Sequence, residues 1–150
     1  MVALVDFSKL DPETRACALV GYYLNKWAVM EGALDECIRK ALNLDRGQGY
    51  VLARNISFMS KVFIFRTLMN EALGEKDRKK AYDKFAINIA DLAKDRNMVA
   101  HSQFSADKTG DGVEFFVIAA RSKLAFSEAR WSINDTLQRV QDMVDATAKL

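Results

Sequence analysis

The chain has 150 residues, enough for one domain that builds a hydrophobic core without disulfide bonds or metal ions. Half of the residues are hydrophobic, 28% are charged and only one is proline, a composition that excludes a disordered or fibrous protein. The formal charge is +2, from 22 basic against 20 acidic residues, so the net charge alone argues for no particular partner.

Cysteine usage and hydropathy predict a cytoplasmic location. Cys17 and Cys37 fall in one predicted helix, roughly 30 Å apart along its axis, so they cannot form a disulfide bond with each other there. We therefore expect a reducing compartment. The N-terminus lacks the basic and apolar pattern of a signal peptide, and no apolar segment approaches the ~20 residues that span a bilayer. The sequence thus predicts no membrane partner.

The first predicted helix begins after Asp11, which suits the N-cap, with Pro12 at the first helical position and Glu13 in the first turn. Two rows of apolar residues then recur every seven positions and form one seam: Ala16, Tyr23, Met30 and Cys37, with Val20, Trp27, Leu34 and Ala41. The seam predicts a helix to about Leu42, before a turn at Gly47–Gly49. A neighbouring helix or a second subunit is expected along its face.

A second helix is predicted from Tyr50 to Leu73, with Gly74 ending it. Its apolar residues lie in two rows on roughly opposite sides: Leu52, Ile56, Met59 and Phe63, and Phe58, Val62, Phe65 and Met69. Burial on two sides is typical of a helix in the middle of a bundle. We interpret the charged stretch 75–80 as the solvated start of the next helix rather than a binding patch.

The third predicted helix ends near His101. Its apolar stripe, on which one arginine also lies, consists of Ala81, Phe85, Ile89, Leu92, Arg96 and Val99. A β-hairpin follows, with a first segment Gln103–Lys108, a turn Thr109–Gly112 and an apolar run Val113–Ala120.

The last predicted helix begins near Ser132, which forms a capping-box-like pair with Asp135. Its predicted buried face consists of Ile133, Leu137, Val140, Val144 and Thr147. Together the elements predict an all-α fold, a four-to-five-helix bundle with a small β-hairpin before the last helix, as a single domain over residues 1–150.

Most sequence signatures of catalysis are absent. The chain has no phosphate-binding glycine loop, no nucleophile elbow and no cysteine pair at metal-ligand spacing. With one histidine, a multi-histidine metal site within one chain is excluded, and the sequence predicts neither a metal nor a cofactor. The segment 95–102, at the end of the third predicted helix, is the remaining candidate site.

Helical geometry groups three polar residues of this segment. Asn97 and His101 are four residues apart and share a helix face, while Arg96 lies about 100° away on the apolar stripe. The guanidinium group of Arg96 suits a phosphate or a carboxylate. Histidine exchanges a proton readily near neutral pH. Together these groups are able to serve phosphodiester chemistry without a metal.

A purely structural interpretation of the same residues is also open. His101 at a helix C-terminus interacts favourably with the helix dipole. Arg96 would then form a salt bridge with a carboxylate of the first helix, and Asn97 would bond a loop. Composition and spacing alone favour this structural interpretation.

The pattern Arg96-Asn97-x-x-Ala100-His101 resembles the motif of the HEPN superfamily, in which arginine, a polar residue and then histidine follow at a spacing of four to six. Its position, at the end of a helix in the second half of a small helical bundle, is similar as well. The resemblance covers most of the chain as architecture, but only Arg96, Asn97 and His101 as specific residues.

The resemblance implies a homodimer in which two motifs meet across a twofold axis. Many members are metal-independent endoribonucleases that act in defence, as toxins or in RNA processing. In such an enzyme His101 would move the proton, Arg96 would stabilise the charge of the phosphate and Asn97 would orient His101 or the phosphate. Other members are non-catalytic modules, so the alternative is a dimer that binds a nucleotide or a protein partner.

Toxin members encoded beside a nucleotidyltransferase antitoxin often carry tyrosine two residues after the histidine. This chain has Gln103 there, which argues against that partnership. Among the remaining candidates, Tyr22, Tyr23 and Trp27 are interpreted as core or dimer interface rather than as surfaces for stacking bases. Lys61 and Arg66 are interpreted as exposed helix charges rather than phosphate ligands.

Overall fold

The computed structural model describes residues 5–72, 76–120 and 122–150, except for the side chains at positions 77 and 78. After a short 3₁₀ helix at Phe7–Lys9, the described part of the chain holds five α-helices and three strands. The helices are α1 (Pro12–Ala41), α2 (Arg46–Asn55), α3 (Phe58–Ala72), α4 (Lys76–His101) and α5 (Ile133–Thr147). The strands are β1 (Gln103–Ala106), β2 (Gly112–Ala120) and β3 (Leu124–Ser132). The protein is therefore mostly helical, as predicted.

Helix α1 confirms the predicted cap and most of the predicted seam. The backbone amide of Thr14 donates to the Asp11 carboxylate at 3.1 Å, which satisfies one free amide of the first turn. The buried residues of the seam are Ala16, Val20, Tyr23, Trp27, Met30 and Leu34. Near the C-terminus Ile38 is buried instead of Ala41, which is exposed, because α1 ends there.

The predicted single helix from Tyr50 to Leu73 is wrong, because two helices cover that stretch. Ile56 is extended, with φ −117° and ψ 147°, and separates α2 from α3. The Ser57 hydroxyl accepts from the Ser60 amide at 3.1 Å and so caps a new helix. Local capping by serine therefore interrupts an apolar pattern that continues through both helices. The predicted end at Gly74 lies outside the described residues.

The predicted turn at Gly47–Gly49 is also wrong, because both glycines lie inside α2. A capping box starts this helix early: the Asp45 carboxylate accepts from the Gln48 amide at 2.8 Å, and the Gln48 side chain accepts from the Asp45 amide. Gly49 also suits a close approach, since a Cβ there would lie 2.7 Å from Cδ of Arg39. The capping box thus outweighs the low helix propensity of glycine.

The hairpin predicted before the last helix is part of a three-stranded antiparallel sheet of order β1-β2-β3. The all-α prediction is wrong to that extent, since strand β3 was not predicted. Phe116 lies opposite Gln103 of β1 and Glu128 of β3. One face of the sheet carries the buried side chains Val113, Phe115 and Trp131.

The predicted end of α4 and the predicted start of α5 are confirmed, whereas their buried faces differ in part: Ala81 of α4, predicted on the buried stripe, is exposed. Helix α4 ends at His101, and its buried residues include Ile89, Leu92 and Val99. Ser132 caps α5 as predicted: its hydroxyl accepts from the Asp135 amide, and its own amide donates to the Asp135 carboxylate. The predicted burial of Val144 is wrong. From Val140, helical steps of three and four reach Met143 and Val144; the structure buries Met143 and leaves Val144 41% exposed.

The described residues group into two compact units. The first contains residues 5–27 and 96–142, which include the sheet, the N-terminal part of α1, the last turns of α4 and most of α5. Its core includes the rings of Tyr23 and Phe115, which lie 5.2 and 5.1 Å from that of Trp131. The second contains residues 28–72, 76–95 and 143–150, where Phe65 packs against Tyr82 and Phe85. No described helix combines the length and apolar character needed to cross a membrane.

A buried aspartate organises the connection between β1 and β2 in the first unit. Asp107 is 5% exposed, and its carboxylate accepts from Arg130 Nε at 2.5 Å and from the Thr109 hydroxyl at 2.9 Å. Burial opposes ionisation of this carboxyl group, but the hydrogen bonds outweigh that effect and lower its pKa to about 2. Gly110 follows with φ 72°, a conformation that favours glycine.

We expect Asp107→Asn to lower the free energy of unfolding at neutral pH by about 1–3 kcal/mol, because charge-assisted hydrogen bonds are lost. A lowered folded-state pKa gives stability that is present above the ordinary value near 4 and lost as the pH falls toward 2. Urea unfolding curves between pH 7 and pH 2 measure both effects. The variant should lose less stability than the wild type between pH 4 and pH 2. Equal losses would contradict this role of Asp107.

Candidate functional site

The three candidate residues lie in the last two turns of α4, within the first compact unit. The helix continues regularly to His101, and Ser102 then donates its amide to the Met98 carbonyl at 3.0 Å. Strand β1 begins at Gln103, directly after this turn. The backbone of the motif is therefore held by the helical hydrogen bonds of α4 and by the start of β1 directly after it.

Arg96 is half-buried, and its guanidinium group lies over the ring of Trp27 with Cζ 6.0 Å from the ring centre. Its Nη1 donates to Asn97 Oδ1 at 3.1 Å. Its Nε is buried and makes no hydrogen bond to the described residues. A buried donor without a partner is unfavourable by about 1–3 kcal/mol, so this guanidinium group has hydrogen-bonding capacity that the described residues leave unused.

The alternative of a salt bridge from Arg96 to a carboxylate of the first helix is not found. Within residues 5–72, 76–120 and 122–150, no carboxylate lies within salt-bridge distance of this guanidinium group. Helix α1 supplies an aromatic ring there instead. A cation–π contact holds the charge in place without neutralising it.

Asn97 and His101 are both exposed and lie one helical turn apart on one face of α4. Asn97 contacts Arg96 through its side-chain oxygen, whereas the His101 imidazole makes no hydrogen bond to the described residues. The structure thus brings Arg96 and Asn97 into contact, and it leaves His101 open to solvent beside them. His101 is the last residue of α4, a position at which a basic side chain interacts favourably with the helix dipole.

Trp27 is the residue of this site that the sequence did not assign to it. The ring is 3% exposed, so of the two predicted places, core or dimer interface, it lies in the core. Its place under Arg96 depends on which stretch of α1 packs against the end of α4. The apolar seam of α1 and the stripe of α4 predict two buried faces, but neither pattern shows which residues of the two helices meet.

The other polar and aromatic candidates lie in structural contacts. Tyr23 is 1% exposed, and Tyr22 packs against Phe7 with ring centres 5.7 Å apart. Arg66 Nε bonds the Asp83 carboxylate at 2.6 Å on a partly exposed surface. The interpretation of Lys61 as an exposed charge is wrong, because this side chain is buried within the second unit, where it binds two carboxylates.

No group of three or more histidine, cysteine, aspartate or glutamate side chains is arranged to hold a metal ion among the described residues. Free cysteines are found at Cys17, which is exposed, and at Cys37, whose thiol pKa is raised by burial. In comparisons with known proteins, no protein-family model, curated protein or solved structure matches the chain. The chemistry of the site therefore has to be inferred from its own residues.

Proposed function

We propose that the protein is a metal-independent endoribonuclease of the HEPN type, with Arg96, Asn97 and His101 as its catalytic residues. A composite site formed by two copies of the motif in a homodimer is part of this proposal. One observation carries it. At the end of α4 a cation with no carboxylate partner among the described residues contacts an amide, and a solvent-exposed imidazole lies one turn away.

Each group has a role in cleavage of an RNA phosphodiester bond. The ribose 2′-oxygen attacks the adjacent phosphorus while the bond from phosphorus to the 5′-oxygen breaks, giving a 2′,3′-cyclic phosphate and a free 5′-hydroxyl. His101 accepts the proton of the 2′-hydroxyl or donates a proton to the leaving 5′-oxygen; in a dimer, the second His101 supplies the other transfer. Overall, one proton moves from the 2′-oxygen to the 5′-oxygen.

Arg96 acts on the charge that develops on the phosphate oxygens. Its planar guanidinium group offers parallel donors to two oxygens, and Trp27 holds this group from below. Asn97 accepts one hydrogen bond from Arg96 and so fixes the direction in which the remaining donors point. A fixed donor set stabilises the transition state more than a mobile one does.

Arg96→Lys tests this role of the guanidinium group. We expect kcat/KM for a fluorescent oligoribonucleotide to fall by about 10²–10³-fold, because a point charge does not reproduce the paired donors. The matched control is Arg66→Lys, which changes a guanidinium group bound to Asp83 and should leave kcat/KM unchanged. Both assays are run with EDTA. Full activity of Arg96→Lys, or loss of wild-type cleavage on adding EDTA, would contradict the proposal.

The alternative is a module that binds a nucleotide or a protein partner through the same dimer and has no catalytic activity. It differs from the first proposal in one measurable respect. Wild-type protein would then bind its partner while failing to cleave RNA of varied sequence and structure. In that case Arg96→Lys would change only the dissociation constant.

A further inference from the structure

One face of the sheet in the first unit exposes four large apolar side chains. Phe116 is 39% exposed, Ile118 and Leu124 are each 64% exposed, and Phe126 is 72% exposed. The register places Ile118 opposite Phe126, and Leu124 opposite Ala120. Directly opposed residues, and residues two apart on one strand, point to the same face of a sheet. These four residues therefore form one continuous surface, the β2–β3 apolar face.

We infer that the β2–β3 apolar face binds a second copy of this chain. A buried aromatic side chain removes about 150–250 Å² from water, so four side chains with these exposures offer on the order of 400 Å². Patches of that size on soluble proteins are often interaction sites. Two copies would bury roughly 800 Å² through these side chains, and neighbouring side chains and backbone would bring the total toward the ~1,200 Å² of a stable interface.

One acidic and one basic residue near this face are placed for pairing between two copies. Glu128 lies opposite Phe116 in the middle of β3, on the same face, and Lys123 lies in the connection between β2 and β3, at the turn end of the hairpin. When two such faces pack about a twofold axis with their hairpins antiparallel, Lys123 of each copy approaches Glu128 of the other. The identical apolar centres meet at the same time.

RNA fits this face less well than a second copy does. Ile118 and Leu124 are aliphatic and do not stack on bases as aromatic rings do. Glu128 lies within the face and repels phosphate groups. A second copy matches both features, because it presents an apolar centre to the aliphatic side chains and a basic group near its edge to Glu128.

The β2–β3 apolar face begins close to the candidate site. Gln103, two residues after His101, is the first residue of β1 and lies opposite Phe116. A second copy bound here would contact the strand that leaves the motif. The inference thus names the surface of the proposed dimer, and in that respect it rests on the proposed function.

Light scattering and sedimentation equilibrium of the full chain at micromolar concentration test the inference. The wild type should show a reversible dimer of about twice the 16.9 kDa chain mass. Phe126→Glu and Ile118→Glu should each raise the dimer dissociation constant at least about tenfold, since each places a charge in the apolar centre. Ile87→Glu is the matched control: Ile87 is 57% exposed on α4, outside this face, and its variant should remain dimeric.

Far-ultraviolet circular dichroism and thermal unfolding confirm that each variant folds, and RNA cleavage and RNA binding are measured separately. A wild-type dimer that both variants leave intact would overturn the face and spare the proposed dimer. If the wild type is a monomer that cleaves RNA, the inferred interface is wrong but the proposed cleavage stands. If it is a monomer that does not cleave RNA, both the inferred interface and the proposed cleavage are wrong. Weaker RNA binding by the two variants at unchanged mass would identify RNA as the occupant and overturn the second copy.

Discussion

If the proposed function is right, His101→Ala should lower the rate of RNA cleavage by about 10²–10⁴-fold, because it removes the proposed proton carrier. His101 is exposed and makes no hydrogen bond to the described residues, so the substitution should leave the fold and the dimer nearly unchanged. The rate is measured with EDTA present, on an oligoribonucleotide and on the same oligomer with a 2′-deoxyribose at the cleavage position. Wild-type protein should cleave only the first substrate.

The structural interpretation of His101 predicts a different outcome. A histidine that only favours the dipole of α4 contributes about 0.3–1 kcal/mol to stability and nothing to cleavage. Full activity of a well-folded His101→Ala variant would therefore reject the catalytic role. His101→Asn is a useful second variant, since it keeps a polar side chain at the helix end and removes the proton carrier.

Lys61→Ala should lower the free energy of unfolding by about 3–5 kcal/mol, because it removes the buried cation that two partly buried carboxylates of the second unit share. Lys61 is 3% exposed, and its Nζ lies 2.8 Å from Glu31 Oε1 and 2.8 Å from Asp35 Oδ1. Burial opposes the charge of Lys61, yet the hydrogen bonds to both carboxylates raise its pKa. Urea unfolding at pH 7 measures the loss.

The matched control for this substitution is Lys94→Ala. Lys94 Nζ lies 2.7 Å from the Asp91 carboxylate, but both side chains are exposed, so the variant should unfold almost as the wild type does. Equal losses for the two lysines would show that burial of Lys61 has no energetic consequence. Lys61→Met combined with Glu31→Gln and Asp35→Asn should recover much of the stability, since it removes every charge of the group.

The dependence on pH gives an independent test of the Lys61 cluster. Burial already raises the pKa of Asp35, although Lys61 opposes that effect. A carboxyl group whose pKa is raised on folding gives stability that is present below its unfolded value near 4 and lost as the pH rises through the folded value. Removing Lys61 should raise that pKa further, so the difference between variant and wild type should be larger at pH 7 than at pH 4.

Local signals in the sequence were sufficient to predict several element boundaries. Asp11 and Ser132 each provide a side-chain oxygen that satisfies free amides of the following helix, and both helices begin where these residues predict. The end of α4 at His101 follows from the end of its apolar stripe. Such interactions join residues three or four positions apart, so they depend little on the rest of the fold.

Where two local signals competed, the periodic apolar pattern alone gave the wrong answer. The rows through Leu52, Ile56 and Met59 predict one helix, but the Ser57 cap divides it. The capping box of Asp45 and Gln48 likewise extends α2 over two glycines. The residue types that form capping hydrogen bonds are recognisable in the sequence. The sequence does not show whether these hydrogen bonds or the burial of the apolar pattern contributes more free energy.

Strand β3 could not be predicted because its own sequence carries a weak strand signal. Leu124 and Phe126 are apolar but exposed, and Glu128 and Arg130 are charged, so the segment has no continuous buried face. Pairing with β2 makes it a strand, through nine register positions that join residues 4 to 20 positions apart in the sequence. The formation of β3 therefore depends on a neighbour that the segment itself does not encode.

The sequence by itself determined the mainly helical class and the starts of α1 and α5, and it predicts Arg96, Asn97 and His101 as the candidate catalytic residues. Tertiary structure decided that Arg96 lies over Trp27, that Lys61 is buried with two carboxylates, and that four apolar side chains of the sheet face solvent. The physical reason is the range of the interactions. Caps and helical periodicity act within one or two turns, whereas burial and charge pairing depend on which distant segments the fold brings together.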